Sequence, residues 1–171
     1  MFGAGPARAR VMLVGEQPGN DEDLAGEPFV GPAGKLLDRA LEEAGLERGA
    51  VYVTNAVKHF KWVPRGKRRI HEKPKAREVA ACRPWLEAEI EAVRPAILVC
   101  LGATAAHAII GKSVRVSRER GRFLPSPLGP TVMATIHPSA ILRAPDDASR
   151  AHTRARFVAD LKKVARALAA T

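Results

Sequence analysis

The sequence predicts an α/β fold, a three-layer α/β/α sandwich built on a central, mainly parallel, four-stranded sheet. Short continuous apolar runs such as Val11–Val14 are typical of strands that are buried on both faces of a sheet. These runs alternate with segments whose apolar residues recur at helical spacing. The chain has 171 residues, of which 46% are hydrophobic and 27% charged, and we expect one domain over residues 1–171.

Strands and helices are predicted in the order strand, helix, strand, helix, strand, helix, strand and helix. Their ranges are Val11–Val14, Leu36–Ala44, Val51–Val53, Ala76–Val93, Ala96–Leu101, Ala103–Ile110, Thr131–Ile136 and Arg150–Ala170. Gly45 stands where the first helix would stop, and Pro84 is expected to interrupt or restart the second. The remaining segments are predicted to be a Gly- and Pro-rich loop through Pro32, a basic loop over Trp62–Lys75 without apolar period, and irregular or hairpin structure over Val114–Phe123.

Charge and cysteine content narrow the classes of function. Lys and Arg number 28 against 18 Asp and Glu, and the net charge of +10 favours a polyanionic partner, nucleic acid rather than a membrane surface. No apolar run is long enough to span a bilayer and no signal core follows the N-terminus, so we expect a cytoplasmic protein. Cys82 and Cys100 are too few for a disulfide framework, and Cys100 is predicted to be a small buried apolar residue.

Three polar segments directly follow predicted strands, namely Gly15–Gly19, Asn55 and His137–Ser139. In open parallel sheets, ligands bind outside the carboxyl ends of the strands. We therefore expect these segments to meet at one site. Taken one at a time, each is also consistent with a turn.

The Gly15–Gly19 loop could be a phosphate cradle, but a phosphate loop leads at once into a helix. Here about a dozen loop residues are predicted before the next helix, and Glu16 would repel an anion. A carboxylate beside glycine-freed backbone amides suits a ligand with a polar edge and a developing positive charge. Phe29, held between prolines, could stack on a base or plug the sheet edge.

Asn55 and His137 carry hydrogen-bonding groups that suit a nucleobase. The amide of Asn55 offers an acceptor and donors that can pair with N3–H and O4 of uracil. His137 could donate to a carbonyl that gains negative charge.

The run Lys67-Arg68-Arg69-Ile70-His71 places one imidazole at the end of a dense positive segment. Such a run is attracted to a polyanion, and histidine can act as a nucleophile or base near neutral pH. A solvated basic loop with an incidental histidine is the alternative.

Together these segments resemble the uracil-DNA glycosylase superfamily over nearly the whole chain. The framework is similar to the family 4 enzymes, while Gln17, Lys58–Phe60 and Lys67–His71 resemble the UdgX subfamily, whose members remain covalently attached to the DNA that they process. The fold is consistent with this resemblance. The implied activity is excision of uracil from DNA.

The resemblance implies a role for each residue. Phe29 would stack on a flipped-out uracil, Asn55 would read its pairing edge, and Gly15, Gln17 and His137 would bind the O2 side of the departing base. Glu16 would stabilise the cationic sugar and hold or deprotonate His71, which would bond to C1′ of the deoxyribose. Lys67, Arg68, Arg69 and Ser139 would contact the DNA.

The resemblance also implies a [4Fe–4S] cluster. Relatives of this kind carry a cysteine pair upstream of the first strand, and this sequence has no such pair. Cys82 matches a ligand position and His59 stands where family 4 has a cysteine, which gives only two metal ligands. A shortened chain, a lost cluster and a loosely folded corner all remain open as explanations.

The expected partners are uracil-containing DNA, chiefly single-stranded, and free uracil as product, and the protein is expected to be monomeric. Rival hypotheses are an ordinary turning-over uracil-DNA glycosylase and a non-catalytic nucleic-acid binding module. A nucleotide-phosphate hydrolase is disfavoured, because no cluster of carboxylates supplies metal ligands.

Overall fold

The computed structural model describes all residues from Met1 to Thr171. Its centre is a five-stranded sheet in the order β2-β1-β5-β7-β6, and a separate two-stranded sheet pairs β3 with β4. The strands are β1 Val11–Gly15, β2 Tyr52–Asn55, β3 Trp62–Arg65, β4 Arg68–His71, β5 Ile97–Leu101, β6 Phe123–Leu124 and β7 Thr131–Thr135. The helices are α1 Asn20–Ala25, α2 Pro32–Ala44, α3 Ala76–Val93, α4 Ala103–Ile109, α5 Val116–Glu119, α6 Pro138–Leu142 and α7 Asp147–Ala169, with a 3₁₀ turn at Arg48–Ala50.

Strand β1 is buried on both faces and divides the core in two. Val11 and Leu13 pack with α2, α6 and α7 on one side of the sheet. Met12 and Val14 pack with α3 and α4 on the other. Successive side chains of a strand point to opposite faces, so a continuous apolar run supplies both cores. The predicted three-layer α/β/α sandwich is confirmed, with Cys100 fully buried in the second core.

The sheet has five strands where four were predicted. Strand β6 has only two residues and pairs antiparallel with β7, whereas β2, β1, β5 and β7 are all parallel. Its sequence, Phe123-Leu124, is half exposed and too short to show a period of two. The segment before it, expected to be irregular or a hairpin, contains the single turn of α5.

Pro84 does not interrupt α3, which runs unbroken from Ala76 to Val93. Proline removes one backbone hydrogen bond from a helix interior. Leu86, Ile90 and Val93 bury this helix against the sheet, and that packing outweighs the loss. The first long helix ends as predicted at Gly45, whose positive φ of 82° closes the helix by a left-handed turn.

The basic segment predicted to be a loop is an antiparallel hairpin. Trp62 pairs with His71 and Arg65 with Arg68, leaving a two-residue turn in which Gly66 has a φ of 60°. Every residue of β3 is exposed, so the hairpin has no buried face and no apolar alternation that the sequence could reveal.

Two short helices were also missed, and both border the carboxyl ends of the strands. Helix α1 begins at Asn20 inside the predicted loop, and α6 begins at Pro138 inside the predicted turn. No helix in the structure is both long enough and apolar enough to cross a membrane.

Candidate active site

A cavity of about 920 Å³ opens at the carboxyl ends of β1, β2, β5 and β7. Parallel strands bring their carboxyl ends to one edge of the sheet, so the residues that follow different strands meet there. All three polar segments predicted from the sequence contribute to this cavity. Its walls include Glu16, Gln17, Gly19, Phe29, Asn55, His71, Lys73, Thr104, His137, Ser139, Leu142 and Arg143.

Three predicted site side chains that line the cavity converge on Gly15, the last residue of β1. A Cβ atom on Gly15 would lie 2.5 Å from Asn55 Oδ1, 2.8 Å from Phe29 Cζ and 3.4 Å from His137 Nε2. The Phe29 and His137 rings are stacked, with centroids 6.2 Å apart and planes inclined by 28°. The missing side chain at Gly15 therefore creates the space around which these groups are arranged.

Phe29 is held in place by an unusual backbone conformation. Its φ of 56° lies in the left-handed region that non-glycine residues rarely adopt. Gly34, in the first turn of α2, allows the Phe29 carbonyl to approach so closely that a Cβ at position 34 would overlap it. The ring is buried, with 7% of its surface exposed, and lines the cavity. This role of Gly34 was not predicted from the sequence.

His137 presents a defined tautomer to the cavity. Its Nδ1 atom accepts hydrogen bonds from the backbone N–H of Ser139 at 3.0 Å and from the Ser139 hydroxyl at 2.7 Å. Burial lowers the pKa of His137 to about 4, against an opposing contribution from Glu16. The imidazole is thus neutral near pH 7, and its proton is on Nε2, the nitrogen nearest Gly15. Ser139, predicted to contact DNA, has its hydroxyl committed to this bond.

Glu16 follows β1 and carries the only carboxylate that bonds to a second predicted catalytic residue. Its Oε1 atom lies 3.1 Å from Nε2 of His71, and its Oε2 atom accepts a hydrogen bond from the Thr104 hydroxyl. Burial alone would raise the pKa of Glu16, but the hydrogen bonds from His71 and Thr104 and the nearby imidazoles outweigh it and lower the pKa. Glu16 is therefore an ionised carboxylate in the cavity wall. Thr104 was not predicted, since a threonine in a helical first turn carries no distinctive signal.

Gln17 fastens the hairpin that carries His71. Its side-chain amide donates to the Lys61 carbonyl at 3.1 Å and the Glu72 carbonyl at 3.3 Å, and accepts from the Lys61 N–H at 3.3 Å. Lys61 precedes the hairpin and Glu72 follows it, and the Glu72 N–H donates a hydrogen bond to the Lys61 carbonyl. The amide of Gln17, predicted to bind substrate, is thus engaged with the hairpin backbone.

The three basic residues that were predicted to contact DNA have different environments. Lys67 and Arg68 are exposed at the turn and form no ion pair. Arg69 instead points toward α1, where it bonds to Asn20 at 2.8 Å and to Asp23 at 2.8 Å. Its guanidinium lies over the rings of Phe60 and Trp62, at 5.2 and 5.5 Å.

Helix α1 changes the argument about a phosphate cradle. A helix does follow the Gly15–Gly19 loop, contrary to the expectation of a long loop, because α1 begins at Asn20. Its first turn carries Asp21, Glu22 and Asp23. Together with Glu16 these carboxylates make the region unfavourable for a phosphate. The negative charge therefore still argues against a phosphate cradle, whereas the argument from a long loop no longer applies.

The two predicted metal-ligand positions, His59 and Cys82, do not form a metal site. His59 is exposed, whereas Cys82 is buried and its Sγ accepts a bond from the Lys58 N–H at 3.3 Å. No group of three or more His, Cys, Asp or Glu side chains is arranged to hold a metal ion. The residues of this chain therefore do not fit a [4Fe–4S] cluster, which needs four ligands.

A buried polar network occupies the same corner of the fold. Lys58 Nζ pairs with Glu89 and donates to Thr54 Oγ1 at 2.8 Å and to the Asn55 carbonyl at 2.7 Å. Glu89 also accepts from the Tyr52 hydroxyl at 2.6 Å and from the Gly3 N–H at 2.8 Å. The network connects α3 and the N-terminal segment to the strand end that carries Asn55.

The fold and the site define an α/β protein with a cavity at the carboxyl edge of a parallel sheet, lined by a carboxylate, an amide, two imidazoles and an aromatic ring. The model of the uracil DNA glycosylase superfamily matches residues 2–162 of this chain. The chain therefore belongs to the uracil DNA glycosylase superfamily, and it is an enzyme of that family.

The most informative relatives are bacterial and archaeal. A type-4 uracil-DNA glycosylase of Archaeoglobus fulgidus is 38% identical over 169 residues, which cover 95% of this chain and 78% of the relative. A type-4 uracil-DNA glycosylase of Thermotoga maritima is 42% identical over 144 residues, covering 84% and 71%. A type-5 uracil-DNA glycosylase of Pyrobaculum aerophilum is more distant, at 32% over 154 residues. The resemblance to family 4 is thereby confirmed.

Proposed function

We propose that this protein excises uracil from DNA and then joins His71 covalently to C1′ of the sugar that remains, as the UdgX subfamily does. One observation carries the proposal: Nε2 of His71 lies 3.1 Å from Oε1 of Glu16, at the wall of the cavity. In this proposal the His71 imidazole takes the place of the water molecule that an ordinary glycosylase needs. A non-catalytic binding module would not require this pair.

Recognition of uracil is assigned to Asn55 and Phe29, which line the cavity. The side chain of Asn55 is 5% exposed and makes no hydrogen bond within the protein, so its amide is available for N3–H and O4 of a base. Phe29 offers a buried aromatic surface beside it. A base cannot reach such a cavity while stacked in a duplex, so it must be extruded or come from a single strand.

Cleavage follows from the charges around the cavity. As the C1′–N1 bond breaks, its electron pair leaves with uracil and negative charge develops on O2. The neutral His137 can donate its Nε2–H to that oxygen, and a donor fixed before the reaction stabilises the anion most effectively. The sugar becomes an oxocarbenium-like cation, which the ionised Glu16 stabilises.

Trapping completes the proposed reaction. The lone pair on the unprotonated ring nitrogen of His71 forms a bond to C1′, and the proton on Nε2 passes to Glu16, its hydrogen-bond partner, or to water. A nucleophile held at contact distance outcompetes a diffusing water. An N-linked imidazole is a poor leaving group, so the adduct persists and each molecule acts once.

An ordinary turning-over uracil-DNA glycosylase is the second candidate. It is favoured by the exposure of His71, whose side chain is 50% accessible and leaves room for water in the wall. The two candidates share the uracil pocket and differ only in what attacks C1′.

A denaturing gel distinguishes them. The protein is incubated with a uracil-containing single-stranded oligonucleotide, heated in detergent and resolved. We expect a band of protein joined to DNA for the wild type and for His152→Ala, which removes another exposed histidine. His71→Ala should lose this band while still releasing uracil, since water can enter the vacated space. An adduct that survives in His71→Ala would overturn the proposal, and so would a wild type that releases uracil without any adduct.

A further inference from the structure

Trp62 lies beside the proposed nucleophile on the same face of the hairpin. In the antiparallel register of β3 and β4, Trp62 is directly opposite His71. Directly opposed residues of an antiparallel pair have neighbouring Cβ atoms and project to one side. His71 lines the cavity and reaches Glu16 in its wall, so the indole of Trp62 is on the same face of the hairpin as a cavity residue, while Trp62 itself lies outside the lining.

The indole is fixed at its inner side and open on its outer side. The Arg69 guanidinium lies over the ring at 5.5 Å and is itself anchored to α1 by Asp23. Yet 41% of Trp62 remains accessible to solvent. The second tryptophan, Trp85, is on α3 and packs edge-on against Phe2, away from the residues that line the cavity.

The surface around Trp62 is positively charged. Exposed basic side chains that form no ion pair surround the hairpin, and they are Arg65, Lys67, Arg68 and Lys73. Lys73 also lines the cavity. A rigid exposed aromatic ring among cations is the arrangement by which proteins hold single-stranded nucleic acid, because bases stack on the ring while the cations face phosphates.

We propose that Trp62 is a stacking platform for the base adjacent to the excised uracil in single-stranded DNA. The placement of that base rests on the proposed function, which puts C1′ of the uridine at His71. Lys73, two residues beyond His71, then faces a neighbouring phosphate. A base in a duplex is already stacked on its neighbours, so the platform favours a single strand.

Intrinsic fluorescence tests the contact directly, because the chain has only two tryptophans. Trp85→Phe leaves Trp62 as the only one, and Trp62→Phe leaves Trp85. The probe is single-stranded oligothymidylate, which contains no uracil and cannot form an adduct. We expect its binding to quench the fluorescence of Trp85→Phe, along the binding curve, and to leave that of Trp62→Phe unchanged. Binding without quenching in Trp85→Phe overturns the proposal.

Affinity and trapping separate stacking from a merely structural role. Trp62→Ala should weaken oligothymidylate binding about 10-fold, Trp62→Phe much less, and Trp85→Ala not at all. At saturating uracil-containing DNA, Trp62→Ala should still form the adduct, since His71 and Glu16 are intact. Loss of the adduct at saturation with unchanged affinity would show that Trp62 only supports the hairpin. Failure of the wild type to form an adduct would sink the proposed function and leave the quenching result standing.

Discussion

The Oδ1 atom of Asn55 lies 2.5 Å from the position that a Cβ on Gly15 would occupy. The two residues are paired in the register of β1 and β2, each at the carboxyl end of its strand. The amide proposed to read the base is therefore packed against bare backbone. A side chain at position 15 would displace it.

Gly15→Ala should abolish most uracil release without unfolding the protein. Its methyl group would also meet Phe29 Cζ at 2.8 Å, so the Phe29 ring and the Asn55 amide would both have to move. A misplacement of about 1 Å can lower a rate about 100-fold. Single-turnover rates on a uracil oligonucleotide, beside a thermal melt, measure the two effects. A rate within a fewfold of wild type would contradict the claim that Phe29 and Asn55 need the bare backbone of Gly15.

Asn55 should also decide which base is processed. In the amide orientation of the structure, with Oδ1 toward Gly15, cytosine presents the opposite polarity at positions 3 and 4, so its groups and the Asn55 amide would stay unpaired. An unpaired buried polar group costs about 1–3 kcal/mol. We expect release of uracil but not cytosine, and a loss of about 10- to 100-fold for Asn55→Ala on uracil. Base release from matched uracil and cytosine strands tests this, and equal rates would refute the pocket assignment.

The sequence predicted the strand-end residues because parallel topology dictates where they meet. Glu16, Asn55 and His137 each follow a buried apolar run, and these runs are visible without a structure. What could not be predicted is support that comes from distant segments. Thr104 bonds to Glu16 across 88 residues, and nothing in its own neighbourhood distinguishes it.

The hairpin was also not predicted, because its support comes from outside its own strands. Its pairing depends on a two-residue turn at Gly66 and on Gln17, which follows β1 and bonds to the backbone at both ends of the hairpin. Neither leaves an apolar pattern, so the basic run could be recognised as a nucleic-acid-binding segment but not as two strands. Lys67 and Arg69 are two positions apart and were predicted to have the same role, although their environments differ.

The basic residues should separate in a salt series. Lys67 and Arg68 are exposed, so the double alanine variant should weaken DNA binding and reduce the slope of log affinity against log salt by up to about 2. Arg69→Ala should reduce the slope less than the double variant does. It should instead lower the rate of adduct formation, because Arg69 bonds the hairpin to α1. Identical slopes for wild type and the double variant would return the turn to ordinary solvated surface.

Thr104 should set the acidic limit of uracil release. In the proposed mechanism the ionised carboxylate of Glu16 is the active form, and its lowered pKa keeps it ionised as the pH falls. Thr104→Val removes a hydrogen bond to the carboxylate, so the pKa rises and activity is lost at a higher pH than in wild type. Thr104→Ser keeps the hydroxyl and should retain the wild-type profile. Identical pH profiles of uracil release for Thr104→Val and wild type would show that this hydrogen bond does not lower the pKa of Glu16.

The buried ion pair of Lys58 and Glu89 should dominate the stability of the Asn55 corner. The two side chains are 4% and 6% exposed, so either charge left alone is desolvated without a partner. We expect Lys58→Met to lower the free energy of unfolding by about 3–5 kcal/mol and Glu89→Leu by a similar amount. Lys58→Met with Glu89→Leu removes both charges and should cost clearly less than the sum.

Urea unfolding measures this coupling, with a surface pair as the matched control. Arg83 and Glu87 are also ion-paired on α3, but their side chains are 44% and 43% exposed. Glu87→Gln should therefore change the free energy of unfolding by less than about 1 kcal/mol. Because Lys58 also bonds to the Asn55 carbonyl, Lys58→Met should slow uracil release even where the protein is folded. Additive losses in the double variant would mean that the two charges do not stabilise each other, and that the corner is held by its apolar contacts.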